Sequence, residues 1–339
     1  MNANLVITRT PYRVSLFGGG SDYNERLLIR PGATISFSIK RYSNIIIRSL
    51  APVFDSKYRI RYFHREEVNF VNEIKHPIVK YCLIRWLNRH QSASTNRLDI
   101  LHSGDLPAMT GLGTSSSFTV GLVLALEAIT GHISSKSFLA DEAIYIEQVL
   151  NQEIVGYQDQ IASAYGGFNF VEYHAPGVYN VKQAKADAGW LSNFVNCLKL
   201  VFTGLTRSSS IAAKELVSKI DKNHLTLDKM VEDAVRCFNI ISNCGDTGEI
   251  GQMLHENWMR KKSLANCISS LEIDTLYNRL IGAGASGGKL LGAGGGGFLL
   301  VYVPREKQEA FAAYTSDIVV LDVEIDWRGA RATVLSEDD

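Results

Sequence analysis

The chain has 339 residues, 46% of them hydrophobic, which is enough for two domains with substantial cores and too apolar for a disordered polymer. Its 35 basic and 35 acidic residues cancel, so no overall field draws it to nucleic acid or an anionic membrane, and any anion recognition has to be local. Five scattered cysteines without a Cys-x-x-Cys pair, and eight histidines without a ligand pair at helical spacing, speak against a disulfide framework or a zinc site and for buried thiols in a reducing compartment. The first residues, MNANLVITRTPYR, lack the apolar core of a secretion signal. No uncharged apolar run reaches the ~18 residues of a membrane span, so a cytoplasmic protein is expected. In chain order, "PYRVSLF" reads as a strand running into Gly18, Gly19 and Gly20. Segments 33–39, 44–50 and 57–63 are rich in β-branched and aromatic residues and predict strands. Residues 76–90 carry Ile78, Cys82, Leu83 and Trp86 at helical spacing, and 97–104 reads as another strand. "FTVGLVLALEAIT" is apolar on nearly every side, the pattern of a buried helix. A helix over about 137–151, a short one after Gly156 and a strand at 167–173 follow. The pattern weakens around 175–195, which places a boundary there and divides the chain into 1–190 and 191–339. Beyond it come a strand at 197–203, helices from about 208 to 282, a glycine-dense loop, the strand "FLLVYV", a helix from 305 and a last strand near 318–325. The order is that of an α+β protein in two halves, not a regular βαβ series.

Three glycine-rich stretches carry the chemistry. In "PAMTGLGTSSS" (107–117), Gly111 and Gly113 make a bare loop, and Thr114–Ser117 open the apolar helix. First-turn N–H groups lack partners inside a helix and sit at its positive end, so this is a ready phosphate site. An ordinary serine or threonine cap is the competing reading. In "GAGASGGKLLGAGGGGFLLVYV" (282–303), Gly292, Gly294 and Gly297 satisfy G-x-G-x-x-G, but a strand follows where a dinucleotide site needs a helix. A Walker A loop fails as well, because Leu290 follows Lys289. What remains is a bare loop with one cation, beside the alternative of plain turns and bulges. In "FGGGSDY", the first of the three in chain order, an Asp follows the glycines, and an ordinary turn is again the alternative.

With their order and spacing, "TPYRVSLFGGGSDY", "PAMTGLGTSSS" and "LLGAGGGGFLL" resemble the three motifs of the GHMP kinases, the superfamily of galactokinase, homoserine kinase, mevalonate kinase and phosphomevalonate kinase. The resemblance spans residues 10–300. It implies a two-domain fold, with an N-terminal ribosomal protein S5 domain 2-like domain that binds ATP and a ferredoxin-like C-terminal domain, and a cleft between them where ATP and acceptor meet. Galactokinase-like members carry an acidic residue where this chain has Gly19-Gly20 before Ser21-Asp22-Tyr23. "FGGGSDY", "GYQDQIASAYGGFNFVEY" (156–173), "FTGLTR" (202–207) and "GGKLLGAGGGGF" (287–298) are instead similar to the D-glycero-D-manno-heptose 7-phosphate kinase branch. L-fucokinase is the nearest competitor, and a non-catalytic sugar–nucleotide sensor is the alternative outside enzymes.

By this resemblance the triphosphate lies on Pro107, Gly111, Leu112, Gly113, Thr114, Ser115 and Ser116, and Ser115 and Glu147 hold Mg2+. Without the motif, Glu147 would read as part of a solvated helix face. Asp159 matches the aspartate that accepts or orients the acceptor's proton, and Arg13 the cation beside it. Gly18, Gly19, Gly20, Ser21 and Asp22, with Gly294 and Gly295, fall on the acceptor side, where Arg207 and Lys289 are the cations for a sugar phosphate. The run Arg260, Lys261, Lys262 is a weaker set of cations for the same phosphate and reads first as a solvated helix face. Expected partners are therefore ATP, Mg2+ and a small sugar phosphate, with neither nucleic acid nor membrane, and a homodimer stays open.

Overall fold

The computed structural model describes residues 5–91, 97–206 and 210–335. Its elements are β1 (Leu5–Phe17), α1 (Asn24–Leu27), β2 (Gly32–Ser49), β3 (Tyr58–Arg61), β4 (Arg65–Val68), α2 (Pro77–Arg89), β5 (Leu98–Gly104), α3 (Thr114–Ile129), α4 (Lys136–Ile144), α5 (Gln158–Tyr165), β6 (Phe168–Ala175) and β7 (Val178–Gln183). They continue with α6 (Ala188–Asn196), β8 (Leu198–Phe202), α7 (Ser210–Ser218), α8 (Ile220–Ser242), α9 (Thr247–Leu264), α10 (Leu271–Gly282), β9 (Gly287–Leu290), β10 (Phe298–Tyr302), α11 (Gln308–Tyr314), β11 (Val320–Asp322) and β12 (Arg331–Leu335).

Long paired strands build the first, eight-stranded sheet, in the order β12-β1-β2-β5-β3-β4 with β6 and β7 branching from β2. The segments expected as two strands at 33–39 and 44–50 are one, β2, and "KRYS" between them holds no glycine, proline, asparagine or aspartate to turn the chain. One half of β2 pairs with β6 from Gly32 to Phe37, and the other with β5 from Ser43 to Ser49. Along its opposite edge runs β1, with register shifts at Pro11/Tyr12 and Ser15/Phe17. A proline, lacking a donor, is tolerated at such a break. The second sheet is four-stranded, in the order β11-β8-β10-β9, and all of its pairs are antiparallel.

Buried from Ser116 to Ile129, α3 is the central helix its composition called for. Its Gly121 lets it press on β1, where the Thr8 hydroxyl donates to the Gly121 carbonyl at 3.0 Å. One apolar cluster joins the two sheets: Val14, Phe37 and Phe168 from the first part of the chain pack with Phe194, Ile250 and Leu300 from the second. Four strands escaped the sequence reading, the first of them the short β4 at Arg65–Val68. β7 is exposed or half-buried throughout, β9 lies within the glycine-dense run, and β12 returns to pair with β1 from Leu5↔Leu335 to Arg9↔Arg331. Residues 331–335 thus belong to the first sheet, on the far side of the boundary drawn at 190. Of the cysteines, Cys82, Cys197 and Cys237 are buried as expected, whereas Cys244 is exposed. Among the described residues, no helix is long and apolar enough to cross a membrane.

Candidate active site

The loop 107–113 delivers α3 with an open end. Its N-cap is Gly113, in the left-handed region, and no side chain caps the first turn. The serine-cap alternative is thereby removed, and the first-turn N–H groups face the cleft at the positive end of the helix. Glycine is required at position 111 for a different reason: a Cβ there would meet the Leu291 carbonyl oxygen at 2.4 Å. The second and third glycine stretches therefore touch backbone to backbone, and Phe298 N–H donates to the Thr110 carbonyl at 3.2 Å. Thr114, Ser115 and Ser116 line the cleft. Leu112 does not, being fully buried in the core shared by the two sheets. Nor is exposed Pro107 among the lining residues; its carbonyl accepts from the Thr110 hydroxyl at 3.0 Å.

Beside this loop, β1 and the first turn of α5 bring together Arg13 and Asp159. The guanidinium grips both carboxylate oxygens, Nε to Oδ1 and Nη2 to Oδ2, each at 2.6 Å, and Nη1 reaches the Gly111 carbonyl at 2.5 Å. Arg13 is buried and Asp159 is 26% exposed, so the pair is rigid on one side and open to the cleft on the other. Both were expected to act here, and they adjoin the 107–113 loop.

The first glycine stretch divides. Gly18 and Ser21 turn away from the cleft. A Cβ at Gly18 would meet the Ala33 carbonyl oxygen at 1.9 Å, and the Ser21 hydroxyl donates to the Gly18 and Ala33 carbonyls. They shape the turn against β2 and are not among the residues that line the cleft. Gly19, Gly20 and Asp22 line the cleft, as does Gln158, whose buried Oε1 has no partner. Asp22 accepts main-chain N–H bonds from Tyr157 at 2.9 Å, Gln158 at 3.1 Å and Gly20 at 3.2 Å, tying this loop to the start of α5. Burial pushes its carboxyl up, with the Asp159 charge adding to the effect.

Glu147 is fully buried, so it is no part of a solvated helix face. The helix expected over 137–151 ends at Ile144, and a single π-helical turn, Tyr145–Leu150, carries Glu147 onward. Its carboxylate accepts from Ser116 at 2.9 Å, Thr119 at 2.5 Å and Gln160 at 2.6 Å. Burial pushes its pKa up to about 7, against the three donors and with help from the charge of Glu153. It is thus Ser116 that touches Glu147, while Ser115, the expected partner, is exposed in the cleft. Half-buried Glu153 also lines the cleft and was not anticipated.

The run Arg260-Lys261-Lys262 is split by the fold. Arg260 pairs with Asp233 and Glu256, and Lys262 with Asp274. Lys261, expected on a solvated face, is buried and lines the cleft, its Nζ donating to the carbonyls of Leu290 at 3.1 Å and Gly292 at 2.5 Å. The missed signal is its spacing: Lys261 lies on the stripe of Ile250, Leu254, Trp258 and Leu264 that α9 buries. Lys289 is likewise buried in the cleft wall, donating to the Leu16 carbonyl at 2.8 Å. Among the described residues neither lysine forms an ion pair. Burial pushes the Lys261 amine down to about 7, helped by the Arg13 charge, and pushes Lys289 well below the ordinary lysine range. Gly294 lines the cleft; Gly295 does not, and its N–H is spent on the Ile268 carbonyl. Arg207 lies outside the described residues.

One cleft therefore holds an uncapped helix N-terminus, an aspartate clamped by an arginine, a buried carboxylate beside hydroxyls, and two lysines without carboxylate partners. Anionic groups fit the helix end and the lysines, and a hydroxyl acceptor fits the open side of Asp159. Residues 78–167 match the GHMP kinases N terminal domain and residues 231–316 the GHMP kinases C terminal domain, together just over half of the chain. A D-glycero-alpha-D-manno-heptose 7-phosphate kinase of Campylobacter jejuni is 28% identical, covering 89% of this chain and 90% of its own. A bifunctional fucokinase/GDP-fucose pyrophosphorylase of Arabidopsis thaliana is 25% identical over 86% of this chain, which spans 29% of that larger protein. Among solved structures, a D-glycero-D-manno-heptose 1-phosphate kinase from Bacteroides thetaiotaomicron shares the fold with a TM-score of 0.79 at 23% identity, covering 98% of this chain and 100% of its own. With both domains in place around one cleft, the chain belongs to the GHMP kinases.

Proposed function

We propose that this kinase transfers the γ-phosphoryl group of ATP to the anomeric hydroxyl of D-glycero-D-manno-heptose 7-phosphate, giving the 1,7-bisphosphate and ADP. The observation that carries this reading is the pair of buried lysines, Lys261 and Lys289, without carboxylate partners in the wall that also holds Asp159. A buried ammonium needs a counter-charge, and an acceptor bearing its own phosphate supplies more of it than a free sugar. The Campylobacter jejuni relative, matched over most of both chains, supports the choice of heptose.

In this reading the triphosphate rests on the first-turn N–H groups of α3 and the hydroxyls of Thr114 and Ser115. Asp159 takes or orients the proton of the acceptor hydroxyl as its oxygen attacks the γ-phosphorus, and the bond to the bridging β–γ oxygen breaks. Arg13 holds Asp159 in place and offsets charge gathering on the transferring group. Gly19 and Gly20 leave room for the sugar, and the free Oε1 of Gln158 accepts from one of its hydroxyls. The oxygen donors Ser115, Ser116 and Glu147 suit Mg2+, a hard cation, and a buried carboxyl pushed up to about 7 gains most from a cation that keeps it ionised. Bound there, Mg2+ would neutralise charge on the outer phosphates.

ADP release measured over the heptose 7-phosphate, fucose, mannose, galactose and mevalonate tests the proposal. Turnover of the heptose phosphate at least tenfold above the others is expected. Activity on free fucose but not on the phosphorylated heptose would select the fucokinase reading, and ATP and sugar binding without turnover would select the sensor.

A further inference from the structure

Far from the cleft, the fold gathers three ligating side chains that are distant in sequence. His90 caps the C-terminal end of α2, Glu127 sits in the last turn of α3, and His132 follows that helix by three residues. His90 Nε2 lies 2.9 Å from Glu127 Oε2, and the His90 and His132 rings are 4.3 Å apart between centroids. One ligating atom from each residue falls within 4.8 Å of the other two. A tetrahedral ion with bonds of about 2.0–2.1 Å holds its donors roughly 3.4 Å apart, so closing on a metal takes only small side-chain movements.

The surroundings are those of a supported site. Arg89 donates to the other oxygen of Glu127 through Nη2 at 2.7 Å and Nε at 3.1 Å, leaving Oε2 directed to the histidines. His132 Nδ1 is 3.2 Å from the Thr130 hydroxyl, which in turn donates to the Glu127 carbonyl at 2.9 Å. Hydrogen bonds of this kind fix the orientation of metal ligands. The carboxylate is buried, His90 is half-buried and His132 is exposed, so an ion could enter from solvent and keep one position for water. The negative end of the α3 dipole points at the same place, which favours a cation.

We propose that His90, Glu127 and His132 form a binding site for a single Zn2+ ion, which clamps α2 to the C-terminal end of α3. Two imidazoles and one carboxylate make a borderline donor set that suits Zn2+ and not Mg2+. About 18 Å of helix separates Glu127 from Ser115, so this ion is distinct from any bound with the nucleotide. It would stiffen the far end of the helix whose near end meets the phosphates.

The test uses the full-length protein stripped with a chelator, then titrated with Zn2+ against a chromogenic competitor and followed in parallel by thermal melting. One equivalent should bind, Mg2+ should not displace it, and the melting temperature should rise with Zn2+. Exposed His132→Ala, which should fold normally, should weaken binding at least tenfold and abolish the melting shift; His90→Ala/His132→Ala should remove both. Zn2+ binding of equal strength in wild type and His132→Ala, or no saturable binding in wild type, overturns the proposal. Neither result depends on which acceptor the kinase uses.

Discussion

Replacing Lys261 by methionine is expected to stabilise the ligand-free protein while crippling catalysis. The amine is buried, its direct partners among the described residues are the carbonyls of Leu290 and Gly292, and Arg13 and Lys289 are its charged neighbours. Its value of about 7 in the folded protein compares with 10.5 for an ordinary lysine. At about 1.4 kcal/mol for each tenfold change in proton affinity, holding it in place at neutral pH costs on the order of 4 kcal/mol. Losing two hydrogen bonds to carbonyl oxygens returns about 1–2 kcal/mol of that, so Lys261→Met should gain about 2–3 kcal/mol near pH 7. The sign with pH follows from the lowered folded value. Between pH 7 and 10.5 the unfolded chain binds more protons than the folded one, so wild-type stability rises with pH across that window, by at most ~1.4 kcal/mol per pH unit. The methionine variant lacks this slope, and its advantage should shrink as the pH rises. Urea unfolding of both proteins at about pH 7.5 and about pH 9.5 measures the gap. A variant no more stable than wild type at the lower pH, or a gap that does not change, would refute the reasoning. Meanwhile kcat/KM should fall about 10- to 100-fold, the worth of one charge-assisted contact to phosphate.

Asp159→Asn should lower kcat by about 10²- to 10⁴-fold with the ATP dissociation constant nearly unchanged; single-turnover rates together with equilibrium nucleotide binding check this, and near-normal turnover would remove Asp159 from the proton step. Gly111→Ala drives a Cβ to 2.4 Å from the Leu291 carbonyl oxygen at a backbone φ of 76°, and should cost about 2–3 kcal/mol in urea unfolding as well as most of the activity. Glu147→Gln should raise the Mg2+ concentration needed for half-maximal rate at least tenfold without lowering the melting temperature near pH 7. Burial already pushes that carboxyl up to about 7, so an amide there forfeits little; an unchanged Mg2+ requirement would move the metal elsewhere.

Much of this was legible because local pattern reports burial. Fourteen successive buried residues in α3 follow from its apolar composition, and the open helix end follows from Gly111, Gly113 and the hydroxyls after them. Lys261 was misread because three adjacent cations look like a solvated face. Only the apolar stripe around it on α9 marks the middle one as buried. Gly18 and Ser21 were assigned to the acceptor because they adjoin Gly19 and Asp22, but in a tight turn neighbouring residues face opposite ways. Glu153 carries no motif of its own and Gln158 drew no role within its stretch at 156–173, and only the folding of their loop brings them into the cleft.

By itself, the sequence determined the α+β class, the buried helix, the three glycine stretches and the kinase family to which they point. Composition and periodicity encode how each segment divides its faces between core and water, and such information survives in isolation. Tertiary structure alone decided which segments meet. Arg13 finds Asp159 across 146 positions, Lys289 finds the Leu16 carbonyl across 273, and Leu335 returns to pair with Leu5. These contacts leave no local signature, because a strand edge, a guanidinium or an ammonium specifies the kind of partner it needs and not where along the chain that partner lies. In this protein the chemistry of the cleft, and the histidine–glutamate cluster behind it, are properties of those distant meetings.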